Sequence, residues 1–458
     1  MFSGPGIVTL RSSLILLMVF IHLIKMVFSL NQLNPLIYYL AFVAMLVCLP
    51  AVSRHSRYTS IILLAAGSIL MFKAGAPVAL WLQGFGANLS IISLIVLAPL
   101  LGLPLKFSRY LAALDALSNG QMHGKRKYSI AMVMGHGLGA LLNIAAVPLT
   151  SQLLNGSKQN PDLRLAQAMI RGYIGAVSWS TNMNPIPLAI YYYGLRYFDV
   201  LPAGLAAGIT VSLVGVGFWL FATEPVQEHP GDRGSKPTSS HARGRLLEVC
   251  LISGTAFILI LLIEGFLKWG IFVVVPLVSM FFPLVLALLI NCFHEWKNLL
   301  RHNYLSECLP RMKNEIVMFA CAGFFAVAVN LAGLGTKIPA LINYLVGADP
   351  WGISLVVALM LIGAAFIGVH PVVTGTAIMS SFNPEAFGIS PVFMATVIAS
   401  SWSLALIVSP FSGTTLTMSG MFDRSPLEVG PKWHWLYAII ALAAVLFLLN
   451  CLRVLGLI

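Results

Sequence analysis

An all-α polytopic membrane protein is the fold class this sequence predicts, and three observations predict it. The 458 residues are 59% hydrophobic and only 9% charged, where soluble domains carry about 25% charged residues. Apolar runs of about 20 residues, enough for a helix to cross a bilayer core, recur from end to end. Inside two of these runs the pattern Ser-Trp-Ser-x6-Pro recurs, at Ser178-Trp179-Ser180…Pro187 and at Ser401-Trp402-Ser403…Pro410. A transmembrane barrel would show short alternating segments instead.

The first four spans are expected at 12–30, 36–53, 58–73 and 85–104. Arg11 followed by the apolar run Ser12–Ile24, with no small-residue cleavage site behind it, reads as an uncleaved first span. A basic loop, 106–127, precedes an apolar stretch at 128–154 that is expected to enter and leave on one side as a re-entrant hairpin. The fifth span, 167–195, is interrupted: it would reach about 43 Å against a core of about 30 Å. Pro185 and Pro187 each remove a backbone donor inside it. Spans at 202–222, 247–267, 270–292 and 313–333 follow. A second hairpin at 352–383 and a second interrupted span at 390–421, broken near Pro410 and Gly413, lead to the last span, 434–455. The total is about eleven crossings plus two hairpins.

The chain then divides into scaffold spans at 1–57, a first repeat at 58–222, a cytoplasmic linker at 223–246 and a second repeat at 247–458. The longest polar stretch, about Glu224–Arg245, reads as a loop, which leaves no room for a soluble catalytic domain; the chain is not expected to be an enzyme. The net charge of +12 comes from basic residues scattered over short loops. They are topology signals and not a nucleic-acid surface. Most of the 27 Lys and Arg fall on one side, which orients the N-terminus inside and the C-terminus outside. In that orientation the two repeats are inverted, an arrangement that places a site near the bilayer midplane. The six cysteines are dispersed and indicate neither a disulfide framework nor a zinc site.

Polar residues beside the breaks are the candidate site. Asn143, Ser180, Thr181, Asn182, Asn184, Thr374, Thr376, Ser412, Thr414 and Thr415 are expected to face a small solute. Asn143, Ser178, Thr181, Thr374, Ser409 and Ser412 could supply the oxygen ligands of a Na⁺ ion, the one cofactor expected. The competing explanation for each hydroxyl is a hydrogen bond between helices. His136, in the run Gly135–Gly139, and His370, beside Gly368, occupy matching places in the two hairpins and are the candidates for proton coupling. Neutral histidines bonding backbone in Gly-rich bends are the alternative. Trp179 and Trp402 read as packing residues flanking the breaks, with an aromatic wall for the substrate as the alternative. Glu264 sits four residues before Lys268 and is expected to form an interfacial pair with it. Arg171 opens the fifth span at the inner face, where it could attract anions and serves equally well as a topology anchor.

With eleven spans, two opposed hairpins and two broken spans, the layout resembles the ion transporter superfamily, and within it the divalent anion–sodium symporter family. The likeness covers nearly the whole chain at the level of architecture. That family carries Ser-Asn-Thr at each hairpin tip; here the tips read Leu142-Asn143-Ile144 and Val373-Thr374-Gly375-Thr376. The resemblance implies a homodimer in which a transport domain slides against a scaffold. The expected function is a secondary active transporter of a small polar solute, an organic or inorganic anion, coupled to Na⁺ or H⁺, in the bacterial cytoplasmic membrane. The alternatives are a membrane enzyme using His136 or His370 as base on a lipid-linked substrate, or a channel.

The topology is directly testable. In a cysteine-free background, single cysteines placed in the 224–239 stretch should react only from the cytoplasmic side, and a cysteine at Ile458 only from outside. Labelling of both from one side would remove the eleven-crossing arrangement.

Overall fold

The computed structural model describes residues 5–110, 112, 124–155, 163–220 and 240–458, and all regular structure among them is helical. Most of the 106–127 loop, the stretch 156–162 with Lys158, and the greater part of the 223–246 linker lie outside the described residues. The polar loop expected to reach Arg245 stops earlier, because Ser240 already begins the next helix.

Five helices come first: α1 (Pro5–Phe28), α2 (Asn34–Cys48), α3 (Arg54–Lys73), α4 (Val78–Gly86) and α5 (Leu89–Leu97). The expected span 85–104 is itself interrupted at Ala87-Asn88, and it ends in a 3₁₀ segment, Ala98–Lys106, that carries Pro99 and Pro104. Asn88 is fully buried. Its amide donates to the Phe319 carbonyl at 3.0 Å, which offsets the cost of a polar group at this depth.

The first hairpin is α6 (Gly124–Leu142), a turn at Asn143–Ala145, and α7 (Ala146–Asn155). The interrupted span follows as α8 (Leu163–Val177) and α9 (Pro185–Tyr193), and then α10 (Tyr197–Leu220). The run Gly135–Gly139 lies within helix α6 and not in a bend. Its purpose is contact: a Cβ at Gly135 would meet the Met169 carbonyl oxygen at 2.3 Å, and one at Gly172 the Met132 carbonyl at 2.1 Å. Small residues at such crossings let membrane helices approach backbone to backbone.

The second half holds α11 (Ser240–Leu267), α12 (Ile271–Leu289), α13 (Phe293–Asn298), α14 (Lys313–Leu331) and α15 (Lys337–Val346). Residues expected as the inner loop before 313 are helical from Phe293, with a π-helical stretch at Leu299–Cys308. The second hairpin is α16 (Pro350–Phe366) and α17 (Pro371–Ser381), and the second interrupted span is α18 (Pro391–Val408) and α19 (Gly413–Phe422). The last helix is α20 (Trp433–Val454). Start signals are local. Asp349 accepts from the Gly352 amide at 2.7 Å, and Ser390, ahead of Pro391, accepts from the Val392 amide at 3.2 Å.

Two groups of helices pack together. In one, α3 and α4 lie on α14, and α12 lies on α5 and the 3₁₀ segment. In the other, α6 lies on α8, α16 on α18, and α10 on α8 and α20. The α18–α19 run is the centre of the molecule; its most apolar window is 89% buried, whereas that of α11 is 24% buried. Large apolar side chains such as Leu251, Ile258, Leu262 and Phe266 on α11 are exposed, as a lipid-facing surface requires. Among the described residues nine helices are long and apolar enough to cross a membrane. The expected span 167–195 is not one of these.

Arg171 is not a solvent-facing anchor. It is 5% exposed, donates to the Tyr128 hydroxyl at 3.2 Å, and lies 4.7 Å and 5.2 Å from the ring centres of Tyr437 and Phe218. The aromatic faces take the place of a carboxylate partner.

Candidate functional site

Interrupting a helix at membrane depth frees backbone groups that need partners. In the first break, residues 178–184, the hairpin supplies them. Ser180 Oγ donates to the Ala140 carbonyl at 2.8 Å and accepts from the Asn182 amide at 3.1 Å. Asn182 Nδ2 donates to the Leu141 carbonyl at 2.7 Å. In return Asn143 Nδ2 donates to the Asn182 carbonyl at 3.0 Å. Asn143 holds a left-handed backbone, φ 54°, which reverses the chain at the tip and which asparagine tolerates better than most residues. Pro185 and Pro187 open α9, where a missing donor costs nothing.

The second break, 409–412, is closed in the same way. Ser409 Oγ donates to the Ala365 carbonyl, at the end of the first arm of its hairpin, at 2.6 Å and accepts from the Phe411 amide at 3.3 Å. Ser412 caps α19, accepting from the Thr415 amide at 3.0 Å and donating to the Leu406 carbonyl at 2.6 Å. Ser180 and Ser409 are therefore equivalent by contact. The duplicated sequence pattern is not: Ser178-Trp179-Ser180 lies in the unwound segment, whereas Ser401-Trp402-Ser403 lies inside helix α18. The difference follows from proline placement, since α9 starts at Pro185 and nothing interrupts α18 before Pro410.

Direct bonds join the two interrupted spans. Ser178 Oγ lies 3.4 Å from Ser403 Oγ. The Tyr173 hydroxyl donates to Asn143 Oδ1 at 3.0 Å and has the Thr414 side chain as a second hydrogen-bonding neighbour. Asn143, Ser180, Asn182 and Thr414 are thus connected through Tyr173 into one polar cluster, and Ser178 pairs separately with Ser403. Ser409, Ser412 and Thr415 lie at the second break itself. Tyr173 was not legible as a member, because nothing marks one tyrosine in an apolar run until its partners are known.

Thr374 and Thr376 are placed differently from expectation. The tip of the second hairpin is Ile367–His370, not 373–376, because Gly368 takes φ 96° and Pro371 starts α17. Both threonines are helical, and the Thr376 hydroxyl is buried without a partner. Between them Gly375 makes room for Trp402, whose ring would lie 2.6 Å from an added Cβ. Thr181 is buried and Asn184 half-buried; Asn184 precedes α9 without capping it through its side chain.

The two histidines are not equivalent either. His136 lies within α6, where Nε2 accepts from Trp179 Nε1 at 2.9 Å and Nδ1 faces Ser212 Oγ at 3.0 Å. The indole is a donor only, so Nε2 carries no proton and the ring is the neutral Nδ1–H tautomer. His370 is the residue before α17, and its Nδ1 accepts from the Val372 amide at 3.2 Å. Each ring is committed to holding backbone or a neighbouring side chain in place.

A cavity of about 40 Å³ lies against the first break. Trp179, Ser180, Thr181 and Asn182 line one side; Leu101, Phe257, Ile260 and Val275, from the other helix group, line the opposite side. It is large enough for water. A larger hollow of about 340 Å³, by Asn330, Thr336 and Ser381, contains none of the expected site residues. Among the described residues no group of three His, Cys, Asp or Glu could hold a metal. For Na⁺, Ser180, Ser409 and Ser412 each already donate to one partner and accept from another, which leaves each hydroxyl a single acceptor position.

These bonds set an expected mutational outcome. His136→Ala strands the Trp179 Nε1–H donor, at about 1–3 kcal/mol, and takes from Ser212 Oγ the proton that His136 Nδ1 donates to it. Thermal unfolding of the purified protein should move to lower temperature, and His136→Gln, which keeps one bond, should recover part of the loss.

No family model matches the chain, and no curated protein matches its sequence. Among solved structures, the YdaH transporter of Alcanivorax borkumensis, whose crystal structure is described as revealing an unusual topology, superposes with a TM-score of 0.53. The alignment covers 79% of this chain and 85% of that one at 16% identity. The chain therefore shares its fold with a membrane transporter.

Proposed function

We propose that the protein is a secondary active transporter of a small polar solute, an anion, working by alternating access. One observation carries the reading: two hairpins each dock a carbonyl onto a serine in an interrupted span, Ala140 on Ser180 and Ala365 on Ser409, and the first break bonds to the helix that leads into the second. An assembly of this kind, with backbone exposed to side chains at membrane depth, is where transporters hold solute and coupling ion. The amino ends of α17 and α19, capped by His370 and Ser412, lie at the second hairpin tip and the second break, and such ends favour negative charge.

The division into two groups fits a moving and a static part. The hairpins, interrupted spans, α10 and α20 would travel; α1–α5, α11, α12 and α14 would form the scaffold, and a homodimer would join through it. Adding α3 and the divided α8–α9 run to the nine long apolar helices gives eleven crossings, and the asymmetry of Lys and Arg supports an inside N-terminus and an outside C-terminus. Coupling is to a cation. With only one acceptor position left on each, Ser409 and Ser412 offer a Na⁺ ion few free oxygens, which supports H⁺ over Na⁺ as the coupling ion.

Purified protein in proteoliposomes, assayed with succinate, benzoate, phosphate and sulfate under separate Na⁺, H⁺ and voltage gradients, tests the reading. Uphill accumulation of at least one probe under one gradient is the expected result. Downhill ion conduction with no solute accumulation would make it a channel. Turnover of a lipid substrate without flux would make it an enzyme.

A further inference from the structure

Glu264 is a carboxylate in an unusual setting. It lies on α11, in an otherwise apolar window, and is 5% exposed. Oε1 accepts from the Tyr197 amide at 2.8 Å, at the amino end of α10, and the Phe198 amide also points at the carboxylate. Oε2 is buried and has no hydrogen-bond partner. The expected ion pair with Lys268 is absent, because the side chain reaches across to α10 instead of along its own helix.

The contact crosses between the two helix groups, with α11 on one side and α10 on the other. It also reaches the first break through one residue. Tyr197 gives its amide to Glu264 and its hydroxyl to the Trp179 carbonyl, at 3.0 Å, inside the break. Trp179 and Tyr197 both meet Phe257 of α11 edge-on, with ring centres 5.9 Å and 6.3 Å away. Ile260, one turn before Glu264, and Tyr197 both line the cavity.

We infer that Glu264 is the proton-binding site of this protein, and that its protonation state controls how tightly α10 and the first break are held against α11. The inference rests on the transport reading above and names its coupling ion. As a carboxylate, Glu264 is held by the positive end of α10. Taking up a proton on the unpaired Oε2 removes the charge, weakens that hold and frees α10 to move relative to α11. Releasing the proton restores it. Few other charges face the site. On the α10 side Arg196 and Asp199 pair with each other at 2.8 Å and 3.0 Å. Tyr197 adds its phenol, Lys268 lies at the end of α11 itself, and α12 carries no charged residue. His136 and His370 do not compete for the role, being committed as described.

The test uses the whole chain in lipid nanodiscs, with the proton as probe. Infrared difference spectra across a pH titration should show a carbonyl band from a buried protonated acid. Glu264→Gln should remove it, Glu264→Asp should keep it at a shifted position, and Asp199→Asn should leave it in place. Identical difference spectra for wild type and Glu264→Gln would overturn the assignment. In proteoliposomes, accumulation of whichever of the four probe anions follows a pH gradient in wild type should cease to follow it in Glu264→Gln. Accumulation that still follows the gradient in that variant would also overturn the proposal. If wild type accumulates none of the probes under any gradient, the transport reading fails, and the infrared result still decides whether Glu264 binds the proton.

Discussion

The structure depends on one constraint: a helix interrupted inside a bilayer must find partners for its freed backbone groups within the protein. Here the two interruptions are matched with two hairpins, and a serine hydroxyl makes the match each time. Ser180 takes the Ala140 carbonyl and Ser409 takes the Ala365 carbonyl. Each bond of this type contributes only about 1 kcal/mol net, but leaving the buried carbonyl unpaired would cost about 1–3 kcal/mol. The break and the hairpin are therefore not separable features. Each makes the other affordable, and the polar cluster around Asn143, Tyr173 and Thr414 forms where they meet.

The second consequence concerns movement. Bonds within the hairpin-bearing group are many and mostly polar at the breaks, while contacts to the α11–α12 side are largely aromatic and aliphatic, through Phe257, Ile260 and Val275. Apolar surfaces can slide without stranding hydrogen-bonding groups. The Glu264–Tyr197 contact is the polar exception on the α10–α11 side, and the Asn88–Tyr192 bond of 3.1 Å is another such exception, tying α9 to the helices around α14. A transporter of the proposed kind needs few polar ties across its sliding boundary, each of them breakable.

Much of this was legible in the sequence wherever the signal is local. Asn143 at a turn, Pro185 at a helix start and Pro410 at a break act through their own backbone chemistry, so the first hairpin and both interruptions fall where the residues place them. What failed depended on comparison or on distance. Matching the two Ser-Trp-Ser copies set Trp402 beside a break, when it packs into Gly375 within continuous helix. Matching His136 with His370 ignored that one lies inside a helical arm and the other starts an arm. The tip of the second hairpin was drawn to Thr374 and Thr376 by analogy, although Gly368 and Pro371 carried the physical signal. Glu264 was assigned to its sequence neighbour Lys268; its partner is Tyr197, 67 residues away, which no periodicity could reveal.

The central claim is that the two interrupted spans meet as one unit, and the junction of Ser178 with Ser403, 3.4 Å apart, is its most direct expression. With the six native cysteines replaced, Ser178→Cys and Ser403→Cys can be introduced together and separately in membrane-embedded protein. Mercuric ion in excess should bind once per molecule of the double variant, as a centre with two Hg–S bonds, and once per molecule of each single variant with one Hg–S bond. Two mercuric ions per molecule of the double variant, each with one Hg–S bond, would contradict the account.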